Sequence, residues 1–231
     1  MSRLPWILTA AQQRALDDAA IAAGLSEDAL MESAGRQAAA WILENVRPSR
    51  ALLLAGPGGN GGDAFVVARH LFLDGVAVRV LAWRDVASCA PLTRQMGERL
   101  QAVGASIVSL TSSAGLLEAE LAACDVLIDG LWGSGLTRPL PDELESILPT
   151  LKGNQAITVS LDVPSGVVAD TGSLIGPTVE ADVTLAMGTT KPCHWLYPAA
   201  ALCGHIERIT LPYPAEVLDN VVPLAWVIDR S

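Results

Sequence analysis

The sequence predicts an α/β domain: a three-layer α/β/α sandwich, Rossmann-like, around a mostly parallel sheet. Three observations predict it. From residue 50 onward, strand-like and helix-like segments alternate. The strand-like segments are near-continuous apolar runs, such as Val126-Leu-Ile128, as expected of strands buried on both faces. The run Gly56-Pro57-Gly58-Gly59-Asn60-Gly61-Gly62-Asp63 lies between an apolar strand and a helical segment, where glycines let the backbone turn sharply and approach a ligand.

The elements follow in order. Thr9-Ala-Ala-Gln12 has the form of a capping box and opens a helix through Ala23, which Gly24 ends. Ser26 caps a second helix to Asn45, and Pro48 closes that segment. Strands are expected at Ala51–Ala55, Ala77–Trp83, Ser106–Leu110, Asp125–Asp129, Ala156–Leu161, Ala181–Ala186 and His205–Leu211. Helices are expected at Asp63–Asp74, Pro91–Val103, Ala114–Ala123 and Pro141–Leu151. With 231 residues, the chain is long enough for one sizeable domain and short for two.

Composition excludes several classes. Hydrophobic residues make up 51% and aromatics only 4%, so the core is aliphatic. A formal net charge of -10 disfavours nucleic acid as a partner, which would need a basic face. No apolar run approaches the roughly 20 residues that span a bilayer, and the N-terminus lacks a signal-peptide stretch. A cytoplasmic location is expected, with Cys89, Cys124, Cys193 and Cys203 as thiols. Cys193, His194, Cys203 and His205 could be drawn as a zinc site, but their spacing matches no common zinc pattern.

Ligands of parallel sheets gather at the C-terminal ends of strands. Four polar, glycine-flanked motifs sit at such ends: the glycine run, Asp129-Gly-Leu-Trp-Gly-Ser-Gly-Leu-Thr-Arg-Pro139, Asp162-Val-Pro-Ser-Gly166 and Gly188-Thr-Thr-Lys191. The glycine run ends in no Gly-Lys-Ser or Gly-Lys-Thr, so it is not a P-loop. No suitable acidic residue follows it about 20 residues on, so it is not the usual dinucleotide fingerprint. Singly, Asp129 and Asp162 could each cap a turn, and Lys191 could be a solvated loop residue. Together the topology lets Asp129, Asp162 and Lys191 converge beside the glycine run. Arg138 could pair with a phosphate or carboxylate.

These motifs, together with Leu30-Met31-Glu32-Ser-Ala-Gly35, Ala68-Arg-His-Leu71 and Lys191-Pro192, resemble the NAD(P)H-hydrate epimerases. The likeness runs from about Thr9 to about Pro214 in the family's order. It implies an isomerase that interconverts the R and S forms of NADHX and NADPHX, hydrated at carbon 6 of the nicotinamide ring. It implies substrate contacts from Gly59, Asn60, Gly61, Gly62 and Asp63, from Gly133, Ser134, Gly135, Leu136, Thr137, Arg138 and Pro139, and from Asp162. It implies a potassium ion (K+) held by Asn60, Asp129 and Ser165, a homodimer, and an ADP-dependent dehydratase, fused or separate, that acts on the S form. The hydrated carbon is a hemiaminal, so the expected chemistry needs an acid/base group. Asp162 is expected in that role, with a pKa raised by burial, and Lys191 as a second proton-transfer or electrostatic group.

The chain departs from the family at Gly59, Ala64, Ser134 and Cys193, and Ala64 and Cys193 would alter their loops if the usual glycines there have positive φ. Residues 1–215 read as the epimerase domain and 216–231 as a tail or linker towards a dehydratase domain, as in a piece of a bifunctional protein. A non-catalytic scaffold of the same fold is the alternative. A sugar or nucleotide kinase is disfavoured, because no catalytic base with a magnesium-binding acidic pair is apparent.

Overall fold

In the computed structural model, residues 6–110 and 115–227 are described. The expected helix start at Ala114 and the last residues of the tail lie outside them. The elements, in order, are β1 (Trp6–Ile7), α1 (Ala10–Ala22), α2 (Glu27–Asn45), β2 (Arg50–Ala55), α3 (Gly59–Leu73), β3 (Ala77–Ala82), α4 (Pro91–Ala102), β4 (Ile107–Ser109), α5 (Leu116–Ala123), β5 (Val126–Gly130), α6 (Asp142–Ile147), β6 (Ile157–Leu161), β7 (Val183–Met187), β8 (His205–Ile209), α7 (Ala215–Leu218) and β9 (Ala225–Trp226).

Seven strands form one sheet in the order β4-β3-β2-β5-β6-β7-β8, every pair parallel. This is the doubly wound order, and the chain reverses direction across the sheet between β2 and β5. Strand pleating separates the two cores. In β2, Ala51, Leu53 and Ala55 face one core, which is packed by α2, α3 and α4. Leu52 and Leu54 face the other, which is packed by α5 and α6. Both sets are fully buried, which is why β2 has no polar alternation.

The helix ends obey their local chemistry. Thr9 and Gln12 exchange the two capping-box bonds at 3.1 and 2.9 Å. Ser26 Oγ accepts from the Ala29 N–H at 3.1 Å. Outside the sheet, α1 shares a small core of Leu8, Leu16, Ala20, Leu30 and Tyr213 with α2 and the segment after β8. This places α1 over the C-terminal edge of the sheet.

Several strand ends shift by one or two residues, and two helices differ more from expectation. The third helix begins at Gly59, four residues before Asp63, so the glycine run is itself the first helical turn. Glycine's low helix propensity argues against that start, but within this turn Gly61 has no room for a side chain. A Cβ at Gly61 would lie 1.8 Å from the Gly56 carbonyl oxygen, and one at Gly62 would lie 2.6 Å from Met31 Sδ. The expected helix Pro141–Leu151 is α-helical only over α6 and tightens to a 3-10 turn at Leu148–Leu151, where Pro149 supplies no N–H. The two-residue β1–β9 pair has too short a signal to be read from sequence. The 215/216 boundary falls inside α7. No helix among the described residues is long and apolar enough to cross a membrane.

Gly61→Ala is expected to cost about 3 kcal/mol, lowering Tm by about 6–12 °C. Gly59→Ala, whose Cβ would meet nothing within 4 Å, is expected to stay within about 0.5 kcal/mol of the parent in the same denaturation experiment.

Candidate active site

The ends of β2, β5, β6 and β7 form one wall of a cavity of about 640 Å³, and α1 and α2 form the other. Gly59, Asn60 and Asp63 line it from α3, Gly133 and Ser134 from the loop after β5, and Asp162 and Lys191 from the loops after β6 and β7. The first turn of α3 carries no side-chain cap, so its free N–H groups can receive an anion.

Asp162 and Lys191 make the central contact. Lys191 is 1% exposed, and its Nζ lies 2.6 Å from Asp162 Oδ1. It also donates to the Met187 and Thr189 carbonyls at 2.7 and 2.9 Å, so all three ammonium protons have an acceptor. Asp162 has φ +64°, a left-handed conformation uncommon outside glycine, directly after β6. Its Oδ2 accepts from the Ser134 N–H at 2.8 Å. Burial alone would push the Asp162 carboxyl up; the charge and hydrogen bond of Lys191, with the Ser134 bond, outweigh it and hold the carboxyl below its ordinary value. This corrects the expected raised pKa of Asp162: the buried cation decides the sign.

His194 completes this knot. The Lys191 N–H donates to Nδ1 at 3.1 Å, which leaves Nε2–H to donate to the Asp162 carbonyl at 3.0 Å. Burial, then the charge of Lys191, lowers its pKa to about 4. His194 is therefore a neutral strut. His205 is exposed, while Cys193 packs with Val163, Val167, Ala169 and Ala199, and the buried Cys203 donates its thiol to the Ala199 carbonyl at 3.2 Å. The described residues contain no group of three or more His, Cys, Asp or Glu side chains able to hold a metal.

Asp129, fully buried, accepts from Ser165 Oγ (2.6 Å), Ser165 N–H (2.8 Å), Ser160 Oγ (3.0 Å) and Leu131 N–H (3.2 Å). Burial pushes its carboxyl up, and these four bonds pull it part of the way back. Ser165 Oγ also accepts from the Trp132 N–H at 2.9 Å. Asn60 differs: both polar atoms of its carboxamide are buried and unpartnered. A Cβ on Gly133 would lie 3.1 Å from Asn60 Oδ1 and 2.8 Å from Asp162 Oδ2, so both side chains converge on the space that glycine leaves.

Two carboxyls on the helical side have the opposite bias to Asp162. Asp63 is pushed well up by burial and by the charges of Asp162 and Asp17, with Lys191 partly offsetting. Asp17, on α1, is raised by burial against its bonds to Tyr213 and Gln13. Sequence reasoning missed Asp17, Gln13 and Tyr213, because nothing in the chain's order says that α1 folds over the strand ends. The third residue pattern of the capping-box helix, Gln13 and Asp17 one turn apart, was the available signal.

The remaining predicted contacts divide. Gly61 and Gly62 are buried against backbone and Met31 rather than lining the cavity. Gly135 lines it, Leu136 turns into the second core, and Thr137, Arg138 and Pro139 are exposed outside it. Gly59 faces open space, so a side chain there would project freely. Ala64 is helical and Cys193 lies in a 3-10 turn, neither with positive φ, so these departures add no backbone strain.

The fold and site define a doubly wound α/β protein whose ligand cavity opens at the carboxyl ends of the strands, with an anion-receptive helix start beside a buried acid–base pair. The chain belongs to the family described as YjeF-related protein N-terminus, which it matches over residues 27–193. It is 35% identical over 200 residues to the bifunctional NAD(P)H-hydrate repair enzyme Nnr of Thermofilum pendens, covering 85% of this chain and 38% of that protein. It is 35% identical over 196 residues to the NAD(P)H-hydrate epimerase of Rhodopirellula baltica, covering 82% and 77%. The chain thus spans well under half the length of its bifunctional relatives and most of the length of the epimerase. The crystal structure of yeast ynu0 shares the fold, with a TM-score of 0.72, 24% identity, and coverage of 81% of this chain and 82% of that one.

Because His194 is neutral when folded, its pKa falls from 6.5 to about 4 on folding. The resulting stability is complete above pH 6.5 and is lost as pH falls towards 4, by about 3 kcal/mol. His194→Gln, which keeps one donor and one acceptor, is expected to remove that slope in urea melts taken across the interval.

Proposed function

We propose that this protein is an isomerase that interconverts the R and S forms of NADHX and NADPHX at carbon 6. The observation that carries the reading is the Asp162–Lys191 pair facing the unpartnered Asn60 carboxamide across Gly133. The names of the relatives from Rhodopirellula baltica and Thermofilum pendens support it. Carbon 6 bonds to both a hydroxyl and the ring nitrogen. Loss of the hydroxyl leaves a planar iminium, and water returning to the other face gives the other epimer. The ionised carboxylate of Asp162, on the cavity wall, favours that positive charge. Asp162, kept ionised by Lys191, takes the proton of the incoming water. The saturated ammonium of Lys191 fits an electrostatic role better than proton transfer. The first turn of α3, from Gly59 to Asp63, and the Gly133–Gly135 stretch would hold the substrate. Thr137, Arg138 and Pro139 would meet only a part of it reaching beyond the cavity.

The donor set Asn60, Asp129 and Ser165 fits a potassium ion: all three offer hard oxygens, and the Asn60 carboxamide lacks a protein partner. When bound, such an ion would supply fixed positive charge to the cavity. A homodimer, a cytoplasmic setting, and a fused or separate ADP-dependent dehydratase consuming the S form belong to the same proposal. The bifunctional naming of relatives supports the last of these. No observation favours the scaffold reading.

Equilibration of purified R-NADHX, followed by chromatography of both epimers, tests the reading. Acceleration over the spontaneous rate is expected, with Asp162→Asn lowering kcat by about 10²–10⁴-fold. A folded wild-type protein that does not accelerate equilibration would sink it. For the cation, potassium is expected to raise Tm more than sodium does, and Asn60→Ala to abolish the difference.

A further inference from the structure

Epimerisation poses a geometric demand that Asp162 does not meet alone. The hydroxyl leaves one face of the ring and water adds to the other. A proton is needed where the hydroxyl leaves, and an acceptor where water arrives. Asp162 lines the cavity from the strand ends, and Asp17 lines it from α1, a different element.

Asp17 is built into place. Its Oδ1 accepts from the Tyr213 hydroxyl at 2.6 Å and from Gln13 Nε2 at 3.0 Å. Gln13 Nε2 also donates to the Tyr213 oxygen at 2.7 Å, and Gln13 Oε1 accepts from Thr189 Oγ1 at 2.7 Å. The Thr189 carbonyl in turn holds Lys191 Nζ. One chain of contacts therefore runs from Asp17 through Gln13 and Thr189 to Lys191 and Asp162. All protein bonds to the Asp17 carboxyl fall on Oδ1. Among the described residues Oδ2 has none, and the residue lines the cavity. Nothing in a purely structural role needs a carboxyl rather than an amide here.

We propose that Asp17 is a second catalytic residue of this site, giving a proton to the departing hydroxyl on the face of the ring opposite Asp162. The proposal rests on the epimerase reading. The carbon 6–oxygen bond breaks with its electron pair on oxygen, and that oxygen takes the Asp17 proton and leaves as water. The lone pair on ring nitrogen forms the iminium double bond. Water adds to carbon 6 from the Asp162 side, the double-bond pair returns to nitrogen, and the surplus proton passes to Asp162. The reverse epimerisation exchanges the two roles, and solvent resets the carboxyls. Burial holds Asp17 towards its protonated form while Lys191 holds Asp162 ionised, the pairing that this direction requires. The charged and titratable groups around Asp17 are Tyr213, Lys191, Asp162 and Asp63, with Arg14 and Asp18 on its own helix and Glu27 on α2 along the cavity rim. Tyr213 is itself pushed up by burial and by the charge of Asp17, so it stays a hydrogen-bond donor.

The test compares Asp17→Asn and Tyr213→Phe with wild type in R-NADHX equilibration across pH. Asn retains the oxygen that Tyr213 and Gln13 address, so the fold is kept. Asp17→Asn is expected to lower kcat about 10²–10⁴-fold with KM within about threefold, and to remove the alkaline limb of the pH profile. Tyr213→Phe takes away a bond to the carboxylate form, which raises the Asp17 pKa and moves that limb to higher pH. Wild-type kcat and an unchanged limb in a folded Asp17→Asn protein overturn the proposal. If that variant does not fold, a Tyr213→Phe limb that stays in place overturns it instead. An inactive wild type overturns the epimerase reading itself, an outcome separate from either.

Discussion

The site is organised around the ion pair between Lys191 and Asp162. Burying an ammonium is costly unless its charge and all its protons find partners. Lys191 meets this with one carboxylate oxygen and two carbonyls, from Asp162, Met187 and Thr189. Removing either partner of such a pair costs about 3–5 kcal/mol, because the other charge stays buried. The pair therefore ties the end of β6 to the loop after β7. It also sets the bias of the cavity: one carboxyl held ionised, and two others, Asp17 and Asp63, pushed by burial towards protonation.

Close backbone approach is the second constraint. Gly56 leaves no room for a Cβ beside the Leu131 carbonyl, 1.8 Å away, nor does Gly61 beside Gly56, and Gly130 packs against Ala64. These contacts draw β2, β5 and the start of α3 together, so that Asn60 and Asp162 meet at Gly133. The left-handed backbone of Asp162 is part of the same arrangement. Strain at a cavity wall is kept where surrounding bonds over-determine it, here by the Asp162 N–H to Leu185 carbonyl bond and by His194.

Much of the fold was legible because its signals are local. The caps at Thr9 and Ser26, the unbroken apolar run of β2 and the proline at the start of α4 each act within one turn or strand. Helix and strand ends were less legible where tertiary contact overrides propensity. A glycine-rich helix start at Gly59 contradicts intrinsic preference and is imposed by packing against Gly56 and Met31. The expectation for Asp162 erred for a related reason: burial was foreseen, but the sign depends on a cation 29 residues away that only folding brings to 2.6 Å.

By itself the sequence determined the alternation of elements, the aliphatic two-sided sheet, and the residue types gathered at the strand ends, since hydrophobic period, capping and turn chemistry act over a few residues. Tertiary structure alone decided which of those residues share a cavity, that α1 closes over it with Gln13 and Asp17, that Thr137 to Pro139 stay outside, and in which direction burial and neighbouring charge push each carboxyl. Those outcomes depend on distances between segments far apart in the chain and on how each charge is shielded from water, and neither is written in local order.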